Sequence, residues 1–162
     1  MVPYSPWDIA AAQAIIAPLA ARKGATLPIL HALQDEFGYI DAAAIPLIAD
    51  ALNLSRAEVH GTVTFYHDFR SEPPGRKVIK LCRAEACQSV GSERLVAHLK
   101  QRHGLALDAT TADGELTLET VYCLGNCALG PSALVDGELI GRLDETRLSA
   151  LCGCRAGAGD RA

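Results

Sequence analysis

The chain has 162 residues, enough for one ordinary domain or for two small ones in tandem. Hydrophobic residues at 49% and charged residues at 21% are the proportions of a folded globular protein and exclude a disordered or low-complexity chain. The formal charge of -4 supplies no basic field for nucleic acid or anionic lipid, so neither is expected as a partner.

The first apolar stretch, Ile9 to Ala21, is broken by Gln13 and Pro18 and falls short of the roughly 18 clean apolar residues a membrane span requires. It does not read as a secretory signal either. Pro3, Pro6 and Asp8 precede it without any Lys or Arg, and the basic pair Arg22 and Lys23 lies on the wrong side. A cytoplasmic location is therefore expected. Ile9, Ala12, Ile16, Leu19 and Ala20 recur at helical spacing after Ser5-Pro6, whose proline suits a first helical turn, while Pro18 should kink or shorten the helix.

Leu27 to Phe37 repeats the pattern, with Leu30 and Leu33 inward and Gly38 as the stop. Ile45 to Leu52 follows with Pro46 near its start. Ser55-Arg56-Ala57-Glu58 has the Ser-x-x-Glu form of a capping box at the head of a helix running toward Tyr66. Residues 1–70 thus read as a helical bundle. Ser71-Glu72-Pro73-Pro74-Gly75 is a turn-forming linker.

After Gly75 the pattern changes. Lys77 to Leu81 reads as a strand ending on Cys82, and Ser92 to His103 as a helix with Leu95 and Leu99 inward and Gly104 as its stop. Leu116 to Tyr122 is a second strand ending on Cys123. Ala133–Val135 and Glu138–Ile140 flank Asp136-Gly137, the sequence of a tight hairpin, and Asp144 caps a closing helix to Leu151. Strand, helix, strand, hairpin, helix over residues 76–152 outlines a thioredoxin-like α/β domain. With the preceding bundle the chain is α+β, and residues 153–162 read as a flexible tail.

Six cysteines in a reducing compartment point to metal or redox chemistry before a disulfide framework. Cys82 and Cys87 form a C-x4-C pair directly after one strand. Cys123 and Cys127 form a C-x3-C pair directly after another. If those strands are neighbours running the same way, both loops leave the same sheet edge and four thiolates converge. Two pairs suit a [2Fe-2S] cluster, in which each iron takes two thiolates beside two bridging sulfides. Gly91, Gly125 and Gly130 lie in or beside these loops, where their amides are expected to approach the sulfurs; simple turn formation is the plainer reading.

A structural zinc with four cysteine ligands remains the rival, since such a site carries a comparable charge, although zinc knuckles mostly use two-residue gaps. That alternative makes the chain a zinc-stabilised interaction module without redox activity. A thioredoxin-type dithiol would want C-x-x-C at a helix start, which neither pair provides.

Cys82-Arg83-Ala84-Glu85-Ala86-Cys87 and Cys123-Leu124-Gly125-Asn126-Cys127-Ala128-Leu129-Gly130-Pro131 resemble the thioredoxin-like [2Fe-2S] subunits. Gln34 to Ile40 and Thr64-Phe65-Tyr66 resemble that family's N-terminal segments. The resemblance implies one [2Fe-2S] cluster on Cys82, Cys87, Cys123 and Cys127, in a subunit of an NAD-linked machine such as complex I (its 24 kDa-type subunit) or a soluble hydrogenase. Arg83-Ala84-Glu85-Ala86 followed by Gln88-Ser89-Val90-Gly91 is most similar to the gamma subunit of soluble NAD-dependent molybdenum formate dehydrogenase. The implied partners are an FMN- and NAD-binding iron-sulfur subunit and a molybdenum subunit that oxidises formate. No residues for substrate conversion are found in this chain.

Other notable residues read more blandly. Cys152 and Cys154, with no second pair to complete a four-ligand site, read as incidental thiols. Arg70, Arg76, Lys77, Lys80 and Arg83 gather before the first ligand, either to draw an acidic partner or tune the cluster, or as a solvated strand face. His31, His60, His67, His98 and His103 lack mutual ligand spacing. Thr64-Phe65-Tyr66 is expected to pack the bundle onto the second domain.

Overall fold

A computed structural model describes residues 4–153. The chain divides at Pro73–Pro74 into two compact units, each with its own core. Among the described residues no helix is long and apolar enough to cross a membrane.

The first unit consists of α1 (Ile9–Leu19), α2 (Thr26–Phe37), α3 (Ala44–Leu52) and α4 (Arg56–Phe65). α1 starts later than Ser5-Pro6 suggests. The Asp8 carboxylate accepts from the Ala11 amide at 2.7 Å and fixes the N-terminus there, while the Ser5 hydroxyl donates to Glu36 at 2.6 Å. Pro18 falls in the last turn, where the helix ends.

α2 stops at Gly38, whose φ of 82° is the left-handed conformation an L side chain resists. The capping box at α4 has both of its hydrogen bonds, Glu58 N to Ser55 Oγ at 3.2 Å and Ser55 N to the Glu58 carboxylate at 2.9 Å. Ile29, Leu30, Leu33, Phe37, Ile48 and Val59 are the buried centre. The Gln34 side chain donates to the Asp68 carbonyl at 2.7 Å and accepts from the Arg70 amide at 2.8 Å, tying the segment after α4 back onto α2.

The second unit contains β1 (Lys77–Cys82), α5 (Glu85–Ser89), α6 (Ser92–His103), β2 (Ala109–Thr110), β3 (Leu116–Val121), β4 (Ala133–Val135), β5 (Glu138–Ile140) and α7 (Glu145–Cys152). The sheet order is β2-β3-β1-β4-β5. β1 and β3 are parallel neighbours in a register that sets Cys82 opposite Val121, and the other pairings are antiparallel.

Period-two alternation puts Ile79 and Leu81 of β1 on one face, where they join Leu116 and Leu118 of β3, Leu95 and Leu99 of α6, and Leu148 of α7 in the second core. The hairpin turn is Asp136-Gly137, with φ of 48° and 89°. α5 and β2 are additions to the elements expected from sequence. Cys154 and the rest of the expected tail beyond 153 lie outside the described residues.

Candidate metal centre

Parallel pairing of β1 and β3 makes their C-terminal ends adjacent, so the loops after Cys82 and after Val121 leave the sheet at one edge. The first loop is not irregular: Glu85–Ser89 forms the single-turn helix α5. Cys82 stands at the end of β1 and Cys87 inside α5, and both are buried at 2% exposure. The second loop runs through Cys123, held at φ 76°, and Gly125 at φ 75°, then a 3-10 turn over Cys127–Leu129. Cys123 and Cys127 are exposed.

The sulfurs of Cys123 and Cys127 lie 3.8 Å apart. A tetrahedral metal with bonds of about 2.3 Å sets neighbouring thiolates about 3.8 Å apart, so this pair has the spacing of two ligands on one ion. Cys82 and Cys87 interact with each other, and both interact electrostatically with Cys127. Among the described residues no three His, Cys, Asp or Glu side chains form a group able to hold a single metal ion. Two cysteine pairs on adjacent loops are the kind of donor set a two-iron cluster takes from its protein. Cys82, Cys87, Cys123 and Cys127 form no disulfide.

The electrostatics of the two pairs differ. Burial pushes the Cys82 thiol up, but amide donors from Ala84, Cys123 and Leu124, together with the Cys87 thiol, outweigh it and the net direction is down. Burial and the neighbouring Cys82 raise Cys87, against the Ser132 amide, which lowers it. Cys127 is raised by its contact with Cys123. The inner pair thus has oriented N–H groups directed at it, and the outer pair faces solvent.

Two of the three glycine amides expected near sulfur are engaged elsewhere. Gly91 donates to the Gln88 carbonyl at 3.0 Å and Gly130 to the Cys127 carbonyl at 3.2 Å. These glycines matter sterically instead: Gly91 has φ 103°, and a Cβ on Gly130 would lie 3.4 Å from the Cys87 sulfur and 3.1 Å from a Val90 methyl. The basic cluster is consumed internally. Arg83 makes a two-pronged bond to Glu93 at 2.8 and 3.0 Å, Arg76 pairs with Glu115 at 3.0 Å, Lys80 with Glu119 at 3.5 Å, and Lys77 donates to the Leu151 carbonyl at 2.6 Å.

His31 stacks on Phe69 at 5.0 Å, and His98 bonds to Ser149 at 2.8 Å. Phe65 and Tyr66, at the end of α4, stack on each other at 5.1 Å, and Tyr66 also meets Phe69 at 6.1 Å. α5 itself is readable in the sequence, since Ala-Glu-Ala-Cys-Gln-Ser consists largely of helix formers with an acid in the first turn. Ser132 and Asn126, which hold the second loop, carry no such signal.

A thioredoxin-like sheet with two cysteine pairs at one edge defines the class, a small iron-sulfur electron carrier. The profile of the thioredoxin-like [2Fe-2S] ferredoxins matches residues 12–153, and the chain belongs to that family. Its cofactor is one [2Fe-2S] cluster. The chain is similar to a subunit of the NADH-quinone oxidoreductase of Rhizobium meliloti (strain 1021), 38% identical over 130 residues that cover 80% of this chain and 77% of that one. It is also similar to a subunit of the NADP-reducing hydrogenase of Solidesulfovibrio fructosivorans, 30% identical over 79% of this chain and 75% of that one. A solved NAD+-reducing [NiFe]-hydrogenase in the H2-reduced state matches with a TM-score of 0.67 and 30% identity over 79% of this chain, which corresponds to 21% of the hydrogenase chain.

Proposed function

We propose that the chain is the electron-transfer subunit of a cytoplasmic NAD-linked oxidoreductase, holding its [2Fe-2S] cluster on Cys82, Cys87, Cys123 and Cys127. The observation that carries this is the pairing of sulfurs on two loops that leave adjacent ends of β1 and β3. When bound, the cluster supplies one-electron transfer. The chain's own residues fix the thiolates on a rigid sheet edge, and the amides of Ala84, Cys123, Leu124 and Ser132 offset negative charge on the inner sulfurs. The exposed Cys123 and Cys127 form the side that trades electrons with a subunit binding FMN and NAD.

The host we favour is an NAD-dependent formate dehydrogenase with a molybdenum-containing subunit, because the segment from Arg83 to Gly91 is most similar to its gamma subunit. The names of the similar curated proteins support a second reading, the equivalent subunit of an NADH-quinone oxidoreductase or of a hydrogenase. Anaerobic purification tests the cofactor site. A reddish-brown protein with two irons and two acid-labile sulfides, bleached by dithionite, is expected; a colourless protein with one zinc overturns the assignment. Isolation of the tagged chain from its source tests the host. Co-purification of a molybdenum subunit with formate-dependent NAD+ reduction supports the first reading, and quinone-reducing or hydrogenase subunits in its place support the second.

A further inference from the structure

We infer that Ser132 is the positioning residue that fastens the outer ligand loop to the sheet, its hydroxyl setting how firmly the Cys123–Cys127 half of the cluster is held. This rests on the ligand assignment proposed above. Ser132 is buried at 1% exposure, directly before β4 and beside the end of β1. Its carbonyl accepts from the Cys82 amide at 2.9 Å, and its own amide is directed at the Cys87 sulfur. The backbone of one residue is thus bonded to both inner ligands.

Its side chain faces the other loop. The Ser132 hydroxyl accepts from Asn126 Nδ2 at 3.1 Å, and its single proton is shared between the Asn126 and Leu129 carbonyls at 3.4 and 3.3 Å. Asn126 directly precedes the ligand Cys127, and Leu129 closes the 3-10 turn that begins on it. The Leu129 carbonyl is also held by the Arg142 amide at 2.6 Å. The loop packs closely over Gly141, where a Cβ would come within 2.7 Å of both Asn126 Nδ2 and the Leu129 carbonyl.

The outer ligand loop is the exposed one, and both Cys123 and Gly125 are held at left-handed φ, a conformation that persists for a non-glycine residue only when its surroundings enforce it. Ser132 is a buried side chain that reaches this loop from the end of the sheet. Without its hydroxyl, the four thiolates, the amide on Cys87 and the Arg142 bond to Leu129 remain, but Asn126 loses its acceptor and the loop loses one of its ties.

The test uses the full chain, purified without oxygen, with visible absorbance followed after addition of an iron chelator. Ser132→Ala should still load two irons. Cluster loss should accelerate roughly fivefold, the rate equivalent of one buried hydrogen bond, and the reduced-state EPR spectrum should change in g anisotropy. Asn126→Ala removes only the amide–hydroxyl bond and leaves the hydroxyl's bonds to the two carbonyls, so it should accelerate loss by less, and the double variant should fall short of the product of the two single effects because that one bond is common to both. If Ser132→Ala does not fold, Asn126→Ala decides by the same two measurements.

Parental release rates and parental EPR spectra in the variants overturn the inference, as does a double variant whose effects simply multiply. A parent chain that holds no iron overturns the ligand assignment instead, so the two failures are distinct.

Discussion

At the scale of single residues, the thiols separate by position. Cys82 and Cys123 terminate or follow adjacent strands at the cluster edge, whereas Cys152 lies at the end of α7 among the residues of the second core. Cys82→Ser or Cys123→Ser should abolish or grossly disturb the visible spectrum, and Cys152→Ser should leave it intact; iron analysis beside absorbance checks both. The Arg83–Glu93 pair offers a subtler test, because Arg83 directly follows the proposed ligand Cys82 and its charge is neutralised by a carboxylate that the guanidinium holds below the usual carboxylate range. Glu93→Gln leaves that positive charge uncompensated. The more negative, reduced cluster gains most from it, so a potentiometric titration should show the midpoint moving upward, by less at high salt than at low. Sequence makes the proposed ligands legible because C-x4-C and C-x3-C at strand ends suit chemistry that cysteine thiolates perform. It does not make the amide donors legible, because Ala84, Leu124 and Ser132 act through backbone groups that every residue shares.

At the scale of elements, the readable signals are the ones with a local mechanism. The Ser55–Glu58 box, the left-handed Gly38 and the Asp136-Gly137 turn each satisfy backbone geometry within a few residues, and each is where the sequence puts it. The start of α1 departs from the sequence expectation because two local signals compete there: the Asp8 carboxylate caps the helix, while Ser5 is drawn away to Glu36, a contact distant in sequence. β2 has only two residues and exists through pairing with β3, which no window of sequence reports. α4 exposes the energetics most simply, since it carries Gly61 in its interior and depends on its cap. Ser55→Ala should destabilise the first unit by about 1 kcal/mol in denaturant titration. Gly61→Ala should act in the opposite direction by about 0.5–1 kcal/mol, as a Cβ there meets nothing within 4 Å. The cap also has a pH signature. The Ser55 hydroxyl and amide hold Glu58 below the ordinary carboxylate pKa, so its contribution is complete above that ordinary value and disappears as pH falls through the lower folded value. Ser55→Ala should flatten the acid limb of helix loss followed by circular dichroism.

At the scale of the whole molecule, two cores divide the work. The helical core around Leu30, Leu33 and Phe37 contains none of the four proposed ligands, while the sheet core contains Ile79, Leu81 and Leu118, the buried residues of the strands that carry the ligand loops. Stability and cofactor retention should therefore respond differently to equal damage. Leu33→Ala and Leu118→Ala each remove the same atoms from a fully buried site, and each should cost about 2–5 kcal/mol locally. Leu118→Ala loosens β3 against β1 and with it the spacing of the two loops, so chelator-driven cluster loss should accelerate in parallel with the drop in melting temperature. Leu33→Ala should lower helical stability by a similar amount while leaving the rate of cluster loss near that of the parent. The pairing of β1 with β3 is the link between fold and chemistry, because a register slip of one residue would turn the side chain of Cys82 to the opposite face of the sheet. Parallel pairing of strands so far apart in sequence is specified by the packed core on one face and not by either strand alone, which explains why the sequence leaves the meeting of the loops conditional although the proposed ligands stand out by spacing.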